Sequence, residues 1–560
     1  MHIEELKYPR PLKIWLIAIG VCLIVTTIVY LPSLDAKFYF DDLQNIEIAS
    51  ALHWEKITWA NFIDGMRNTY AIHRPVANLS FALNHLFGGL NPKGYHLANL
   101  LVHLATGLTL AWVSFMLTFH RGRTETDHST RFILAFMISL LFLVHPLNIQ
   151  AVTYVVQRMT SMSALFFLLA FGCYLYARNW AGKSKKIFLY FFCVLFWLIA
   201  LGCKEIAFVF PLVIIVYEYA FHHKNLVEKI RQVISNRKVW KLATVVLLGL
   251  FVLALFMYSY IEPTFGWNET FASRNYNGYQ RVLTQSRVQV FYLSLLFWPA
   301  PSRLNLDHNI RLSKSFYDPL NTVPAILFWI IVILLALFLL HRYPFYGFPL
   351  MMYLVLHLIE SGPINLELIF EHRMYLPMTA LAMLATNAIL DLRMKRRLIV
   401  WVILGVLIFP LSFAAYSRNL TWSDSIAFHY DTASKSPEKF RPQYNLGTEL
   451  GKLSRCGEAI KALTKALTIK PKDSMTYNQL GNCYLLTGLI KKASQKYEQA
   501  VLYNPQNAEA VYNLATVYFR MKKFERSKNY FEKFLLIAPP YLKQYQKNAR
   551  RRLMMIKNYQ

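Results

Sequence analysis

The sequence predicts an all-α protein in two parts, a polytopic bundle of membrane-spanning helices followed by a helical-repeat solenoid. Three observations predict it. Of 560 residues, 55% are hydrophobic and only 16% are charged, against about 45–50% and about 25% in soluble domains. Apolar runs long enough for lipid recur from Ile14 to Tyr416. Beyond them lies a polar stretch with a 34-residue period. Mean hydropathy is +0.30, so that polar stretch is offset by segments apolar enough for a bilayer.

The first apolar run, Ile14–Leu31, follows Lys7, Arg10 and Lys13 and lacks a small-residue cleavage signal. It reads as an uncleaved anchor with a cytoplasmic N-terminus. Ten more spans follow: Tyr95–Phe119, Phe132–Val144, Leu147–Ala177, Ile187–Leu201, Ile206–Phe221, Leu242–Ile261, Val323–Leu340, Phe345–Ile359, Met374–Leu390 and Leu398–Tyr416. Several are shorter than the ~20 residues an isolated span needs and recruit flanking residues. Alternation then gathers Arg121/Arg123, Arg178–Lys186, Lys224–Lys241, His341/Arg342 and Arg393–Arg397 on the cytoplasmic side, as the positive-inside rule requires. The count holds only if Arg287–Pro299 does not cross, so the expectation is eleven spans plus one half-inserted or external helix.

The net charge of +29 would suit nucleic acid, but no folded nucleic-acid motif is present and the cations flank apolar runs. Six cysteines exclude a disulfide scaffold, and no CxxC or Cys/His cluster points to zinc. Cys456 and Cys483 lie in the polar tail, where pairing in an oxidising compartment stays open.

In that tail Leu446, Leu480 and Leu514 recur, as do Gly447/Gly481/Ala515, Ala459/Ala493/Ser527, Leu463/Tyr497/Phe531 and Pro471/Pro505/Pro539. This is the tetratricopeptide pattern, in which small residues let two antiparallel helices approach and proline closes each unit. The expected layout is a membrane domain at 1–416, a partial repeat at 417–440, repeats at 441–474, 475–508 and 509–542, and a capping helix at 543–557. From residue 417 onward about 25 Lys+Arg face about 10 Asp+Glu. So basic a solenoid attracts either acidic partners or phospholipid.

Ionisable residues at membrane depth are costly enough to be functional hypotheses, and several cluster on the expected outer side. Asp41-Asp42 follows the first span; adjacent carboxylates raise one pKa, which suits a general base or a metal ligand. A solvated loop start is the plainer reading of an isolated pair. Arg74, Asn84 and His96 follow, with His96, Asn99 and His103 on one helical face, either a polar packing seam or the wall of an aqueous cavity. The outer turns add His145, Arg158, Lys204 with Glu205, and Glu371-His372-Arg373 with Tyr375. Lys204 and Glu205 could simply neutralise each other. A buried arginine needs an anion, which a lipid phosphate presents at that depth, unless it snorkels to the interface.

In this order the stretches Phe38–Asp42, Arg74-Pro75 leading to Asn84, Gly94–Asn99, Val144-His145-Pro146 through Arg158, Lys204-Glu205, Arg281 through Leu306, Glu371–Pro377 and Arg418–Trp422 resemble one known family. It is the transmembrane and tetratricopeptide-repeat O-mannosyltransferases, within the GT-C glycosyltransferases that use polyprenyl-phosphate sugars. The resemblance covers essentially the whole chain. It implies a GT-C bundle around a cavity open to the outer leaflet and inverting transfer of a hexose, here mannose, to Ser/Thr hydroxyls of an exported protein held by the repeats. Asp41 would be the general base, with Asp42 supporting it or either binding a divalent metal. Arg158, Lys204, His372 and Arg373 would bind the donor phosphate, and Arg74, Asn84, His96, His145, Glu205, Glu371 and Tyr375 would line the cavity. No nucleotide or resident cofactor is required; the lipid-linked donor, membrane lipids and the acceptor protein are the partners, and nucleic acid is not. Family members usually carry more repeats than three, and the compact form fits a bacterial homologue in the inner membrane with periplasmic repeats. Asn268-Glu269-Thr270 then carries no glycan. The competing readings are a GT-C enzyme acting on lipid A or ligating an oligosaccharide, and a non-catalytic membrane scaffold.

Overall fold

The computed structural model describes residues 11–119, 128–234, 276–392 and 394–559, which fall into two units. The first comprises Met1–Leu306 and Ile310–Ser423, the second Asp307–Asn309 and Asp424–Gln560.

In the first unit helix α1 (Pro11–Tyr30) leads into a long connection carrying α2 (Trp59–Arg67) and α3 (Pro75–Gly88). Then come α4 (Pro92–Thr118), α5 (His128–Leu143), the four-residue α6 (Ile149–Val152), α7 (Arg158–Asn179), α8 (Lys183–Leu201) and α9 (Phe210–Ile234). The unit closes with α10 (Gly278–Phe297), α11 (Thr322–Arg342), α12 (Pro344–Leu356), α13 (Tyr375–Leu390) and α14 (Met394–Ser423). Starts follow local chemistry. Asn91 caps α4 by accepting Lys93 N–H at 3.1 Å, with Pro92 in the first turn. Asn277 and Gln280 form a reciprocal capping box on α10.

Among the described residues seven helices are long and apolar enough to cross a membrane, eight if α5 and the segment Pro146–Val152, bent by 55°, count as one. The chain is a multi-pass membrane protein. The other expected spans are the 13-residue α12, the 16-residue α13, which is packed inside the bundle, and Leu242–Ile261, which lies outside the described residues. Two expectations are corrected. The 31-residue run from Leu147 to Ala177 is not one span: His145-Pro146 breaks the chain, short turns occupy Pro146–Gln157, and α7 starts only at Arg158. The last span does not end at Tyr416, because α14 continues to Ser423. Helix α10 is not among the helices apolar enough to cross, since its sequence carries Arg281, Arg287, Gln280, Gln285 and Gln289.

Short links make neighbouring helices antiparallel. The α3, α5–α7, α8–α9 and α12–α13 connections therefore meet at one end, opposite the Arg178–Lys186 link.

The second unit stacks helix pairs: α15 (Ser425–Lys435), then α16 (Phe440–Lys452) with α17 (Cys456–Ile469), α18 (Ser474–Leu486) with α19 (Ile490–Tyr503), and α20 (Ala508–Arg520) with α21 (Phe524–Ile537), followed by α22 (Lys543–Tyr559). The 34-residue period has a steric cause. A Cβ on Gly447 would meet Leu463 at 2.5 Å, and one on Gly481 would meet the Tyr497 ring at 2.5 Å. Ser454, Gly488 and Lys522, again 34 apart, take positive φ of 59°, 77° and 60° at the turns within the pairs. Asp307 pairs with Lys439 and Arg441, both at 2.7 Å. Cys456 and Cys483 are buried free thiols.

Candidate functional site

After α1 the chain reverses at Phe40, whose φ of 45° is left-handed and costs a non-glycine residue roughly 1–3 kcal/mol. The reversal sends two adjacent carboxylates to opposite sides. Asp42 is fully buried, and its oxygens accept the N–H groups of Tyr39 at 2.9 Å and Val156 at 2.7 Å. Asp41 is exposed, with the Tyr154 hydroxyl taking its backbone N–H at 2.8 Å and facing its carboxylate. Burial pushes the Asp42 carboxyl up to about 8, against the pull of the Tyr39 and Val156 N–H groups, and Asp41 adds little. Asp42 is thus a fastener between the first outer connection and the turn before α7.

Beside Asp41 stand two ion pairs. Arg74 grips Glu205 with both arms of its fork, Nε to Oε1 and Nη2 to Oε2 at 3.0 Å each. Lys204 pairs with Glu360 at 2.7 Å and donates to Thr160 Oγ1 at 3.0 Å. Lys204 and Glu205 therefore do not neutralise each other. Burial lowers the Lys204 ammonium, with Arg74 and Arg373 adding to it and Glu360 opposing. Burial alone would raise Glu360, but Lys204 and Arg373 hold it below the usual carboxylate range. Asp41, Glu205 and Glu360 all act electrostatically on Arg74, which places the three carboxylates around one guanidinium.

His372 and Arg373 complete the cluster from the α12–α13 connection. His372 is buried, its Nδ1 has no hydrogen-bond partner among the described residues, and burial followed by Lys204, Arg373 and Arg74 depresses its pKa well below the ordinary value. Its surroundings favour the neutral imidazole, which can still offer a hydrogen bond to the phosphate it is expected to bind. Arg373 makes one long hydrogen bond, to Leu368 O at 3.3 Å, and lies over the Phe370 ring. Among the described residues no carboxylate lies within ion-pair distance of it.

Arg158 differs. Its Nε donates to Asn99 Oδ1 at 2.6 Å, Nη1 to Ser80 O at 3.1 Å and Nη2 to Tyr95 O at 3.0 Å, and its plane covers Phe81. These neutral acceptors tie α3, α4 and α7 together through Arg158, the residue expected to bind the donor phosphate. The same holds for most of the expected cavity wall. Asn84 donates to Gly94 O, His96 to Ala36 O and His145 to Leu296 O, while Tyr375 meets His103 Nδ1 at 2.7 Å. Asn99 and His103 bond backbone carbonyls as well, which makes the 96/99/103 face a packing seam. Glu371 is buried, accepting Asn305 N–H at 2.5 Å and pairing with Arg418 at 3.5 Å. A protein-held divalent metal does not fit this donor set: both Asp42 oxygens are engaged, Glu205 and Glu360 are taken by Arg74 and Lys204, and among the described residues no three His, Cys, Asp or Glu side chains are grouped to hold a metal ion.

Sequence reasoning missed Glu360, Tyr154 and the strap holding Arg373. From Ile364 to Phe370 alternate carbonyls are taken by Arg281 Nε, Tyr276, Gln285 and Tyr292, whose hydroxyl also accepts Phe370 N–H at 2.9 Å. Phe370 in turn stacks on His372, with centroids 5.1 Å apart. Glu360 was visible as an acid directly after an apolar run; the strap had no sequence signal.

Fold and site define a multi-pass membrane protein with a buried cluster of cations and carboxylates at one end, joined to a tetratricopeptide solenoid. The tetratricopeptide repeat family model matches residues 440–473, 476–507 and 508–541. Among named proteins the chain is similar to protein O-mannosyl-transferase tmtc2 of Xenopus laevis, 30% identical over 55% of this chain and 37% of that one. It is likewise 30% identical to human protein O-mannosyl-transferase TMTC2, over 37% of this chain and 25% of that protein. With Drosophila melanogaster Tmtc3, also named a protein O-mannosyl-transferase, identity is 23% over 87% of this chain and 58% of that one. The chain is thus a homologue of the TMTC-type protein O-mannosyl-transferases, and the matches span 25–58% of those relatives' own lengths.

Proposed function

We propose that the protein transfers a hexose, most simply mannose, from a polyprenyl phosphate to Ser/Thr hydroxyls of an exported protein, with inversion at the anomeric carbon in a GT-C-type bundle. The observation that carries this reading is the gathering at one end of the bundle of an exposed carboxylate, Asp41, beside Arg74, and of Lys204 and Arg373, the last with no carboxylate within ion-pair distance among the described residues. Asp41 takes the acceptor hydroxyl's proton as that oxygen bonds to the anomeric carbon, and the bond from that carbon to the phosphate oxygen breaks. Arg373, supported by Lys204 and Arg74, stabilises the negative charge left on the polyprenyl phosphate. Neutral His372 donates a hydrogen bond to the same group. Arg158 and Asp42 hold the scaffold, and no step requires a metal. The names of the homologous proteins support the sugar and the acceptor class.

The cluster faces the side opposite the cytoplasm, the N-terminus is cytoplasmic, and the repeats bind the acceptor polypeptide outside. In a bacterial source that side is the periplasm.

The test uses purified full-length protein, polyprenyl-phosphate mannose and a Ser/Thr-rich exported protein, with mass spectrometry of the acceptor. Asp41→Asn is expected to lower transfer by about 10²–10⁴-fold at unchanged yield and melting temperature. Near-normal transfer by that variant would remove Asp41 as the base. A wild type that transfers hexose to no hydroxyl would remove the activity itself.

A further inference from the structure

The solenoid's last helix is fastened along one stripe and bare along another, about a third of a turn round the helix. Leu542, just before α22, and Ala549 and Ile556 within it follow each other at i, i+7 and i+14 and are buried with Tyr512, Phe531 and Phe534. Arg552 closes that side, its Nη1 donating to Thr516 Oγ1 at 2.7 Å and its plane lying over Tyr512, Phe519 and Phe531. The other face, at i, i+4, i+7, i+11 and i+14, presents Lys543, Lys547, Arg550, Met554 and Lys557, every one exposed. That spacing is a single helical line. Exposed Arg551 and Met555 flank it, Met554 is 69% exposed, and Tyr541 at the head of the helix is 78% exposed.

Charge balance sharpens the picture. From Lys533 to Gln560 there are seven cations and no acid. Among the described residues none of the five cations on or beside the line has an ion-pair partner. A merely solvated face intersperses both charge signs. A cationic line with apolar side chains set into it is the composition of helices that lie on anionic lipid, where phosphates meet the cations and the upper acyl carbons meet the apolar groups.

We propose that this face of α22 docks on an anionic phospholipid surface. An acidic polypeptide would answer the charges but not Met554, Met555 and Tyr541, which sit between and beside them. The apolar spans keep the chain at a bilayer, so such a surface is available at high effective concentration. The inference is independent of the transferase reading.

The experiment places an environment-sensitive fluorophore at Met554→Cys in the full-length protein, where the six native cysteines are buried and labelling is confined to the new one. The labelled protein is reconstituted in nanodiscs of phosphatidylcholine alone or with about 30% phosphatidylglycerol. The expected result is a blue-shifted emission in the anionic discs, reversed by about 0.5 M salt. It should be lost when Lys543, Lys547, Arg550 and Arg551 are changed to Gln, and retained in Lys461→Gln/Lys465→Gln, which removes charge elsewhere on the solenoid. The proposal is overturned if emission is the same in both discs. It is equally overturned if the Lys461/Lys465 control abolishes the shift, or if only added polyglutamate produces one, since that would assign the line to acidic protein.

Discussion

Arg158 and Arg373 are both buried arginines at the same end of the bundle, yet Arg158 has a hydrogen-bond partner on each nitrogen and Arg373 makes a single long bond. Arg158 spends its fork on Asn99, Ser80 and Tyr95, so lysine there would strand acceptors that a single ammonium cannot reach together. Arg158→Lys should therefore lower unfolding free energy by about 2–4 kcal/mol, read by thermal or denaturant melts in detergent, with the donor KM of the surviving protein unchanged. Arg373→Lys should do the reverse, raising the donor KM about tenfold or more by removing the planar fork a phosphate matches while costing little stability. The sequence could flag both arginines as expensive at membrane depth, but it could not tell them apart. Their difference lies in backbone carbonyls and an asparagine brought close by tertiary packing, which leave no pattern in spacing. Asp41 and Asp42 teach the same lesson. The adjacent carboxylates were legible as a pair, whereas the division into an exposed acid and a buried fastener follows from one left-handed residue, Phe40, that no propensity would place there.

Helix α10 acts through what it grips. Tyr292 binds both polar groups of the Phe370 backbone, and Phe370 carries His372 and Arg373 on its ring. Tyr292→Phe deletes both bonds and should raise the donor KM about tenfold, with a smaller change in kcat. The loss should vanish when Tyr292→Phe is added to Arg373→Lys, because a residue acting through Arg373 has nothing left to position. Additive losses would make Tyr292 a stability residue only. In the solenoid the elements were readable almost residue by residue, since a 34-residue period reports a repeated steric demand. Gly481→Ala should destabilise the second repeat by about 1–3 kcal/mol through its clash with Tyr497. Lys522→Gly, at a positive-φ turn position, should stabilise by up to about 1 kcal/mol. Opposite shifts in the melting temperature of the solenoid transition would check both. The membrane elements were legible where an apolar run had a polar link at each end. The run from Leu147 to Ala177 was not, because hydropathy is blind to a break at His145-Pro146 followed by turns built of apolar residues.

For the whole molecule, the division between the two units decides what can be removed. The sequence placed it at Tyr416, where the apolar run stops, but α14 continues to Ser423 and its last turns belong to the first unit. Arg418 pairs with Glu371 and donates to Leu304 O. Asn419 holds Val29 O and Thr153, and the Trp422 carbonyl accepts the Tyr39 hydroxyl at 2.7 Å, three residues from Asp42. A chain stopped at Tyr416 would leave Glu371 as an uncompensated buried carboxylate, a loss of about 3–5 kcal/mol, and would free the connection that carries Asp41. Any activity lost there would say nothing about the repeats. A chain stopped after Ser423, carrying Asp307→Asn because Lys439 and Arg441 leave with the repeats, keeps all three residues and strands no carboxylate. If the solenoid selects the acceptor and does no chemistry, that shorter chain should still release sugar from polyprenyl-phosphate mannose to water or a small alcohol, read as free polyprenyl phosphate, while mass spectrometry finds its protein acceptors unmodified. Equal modification of the same proteins by the shorter and the full-length chain would strip the repeats of acceptor selection and leave them a role in docking alone.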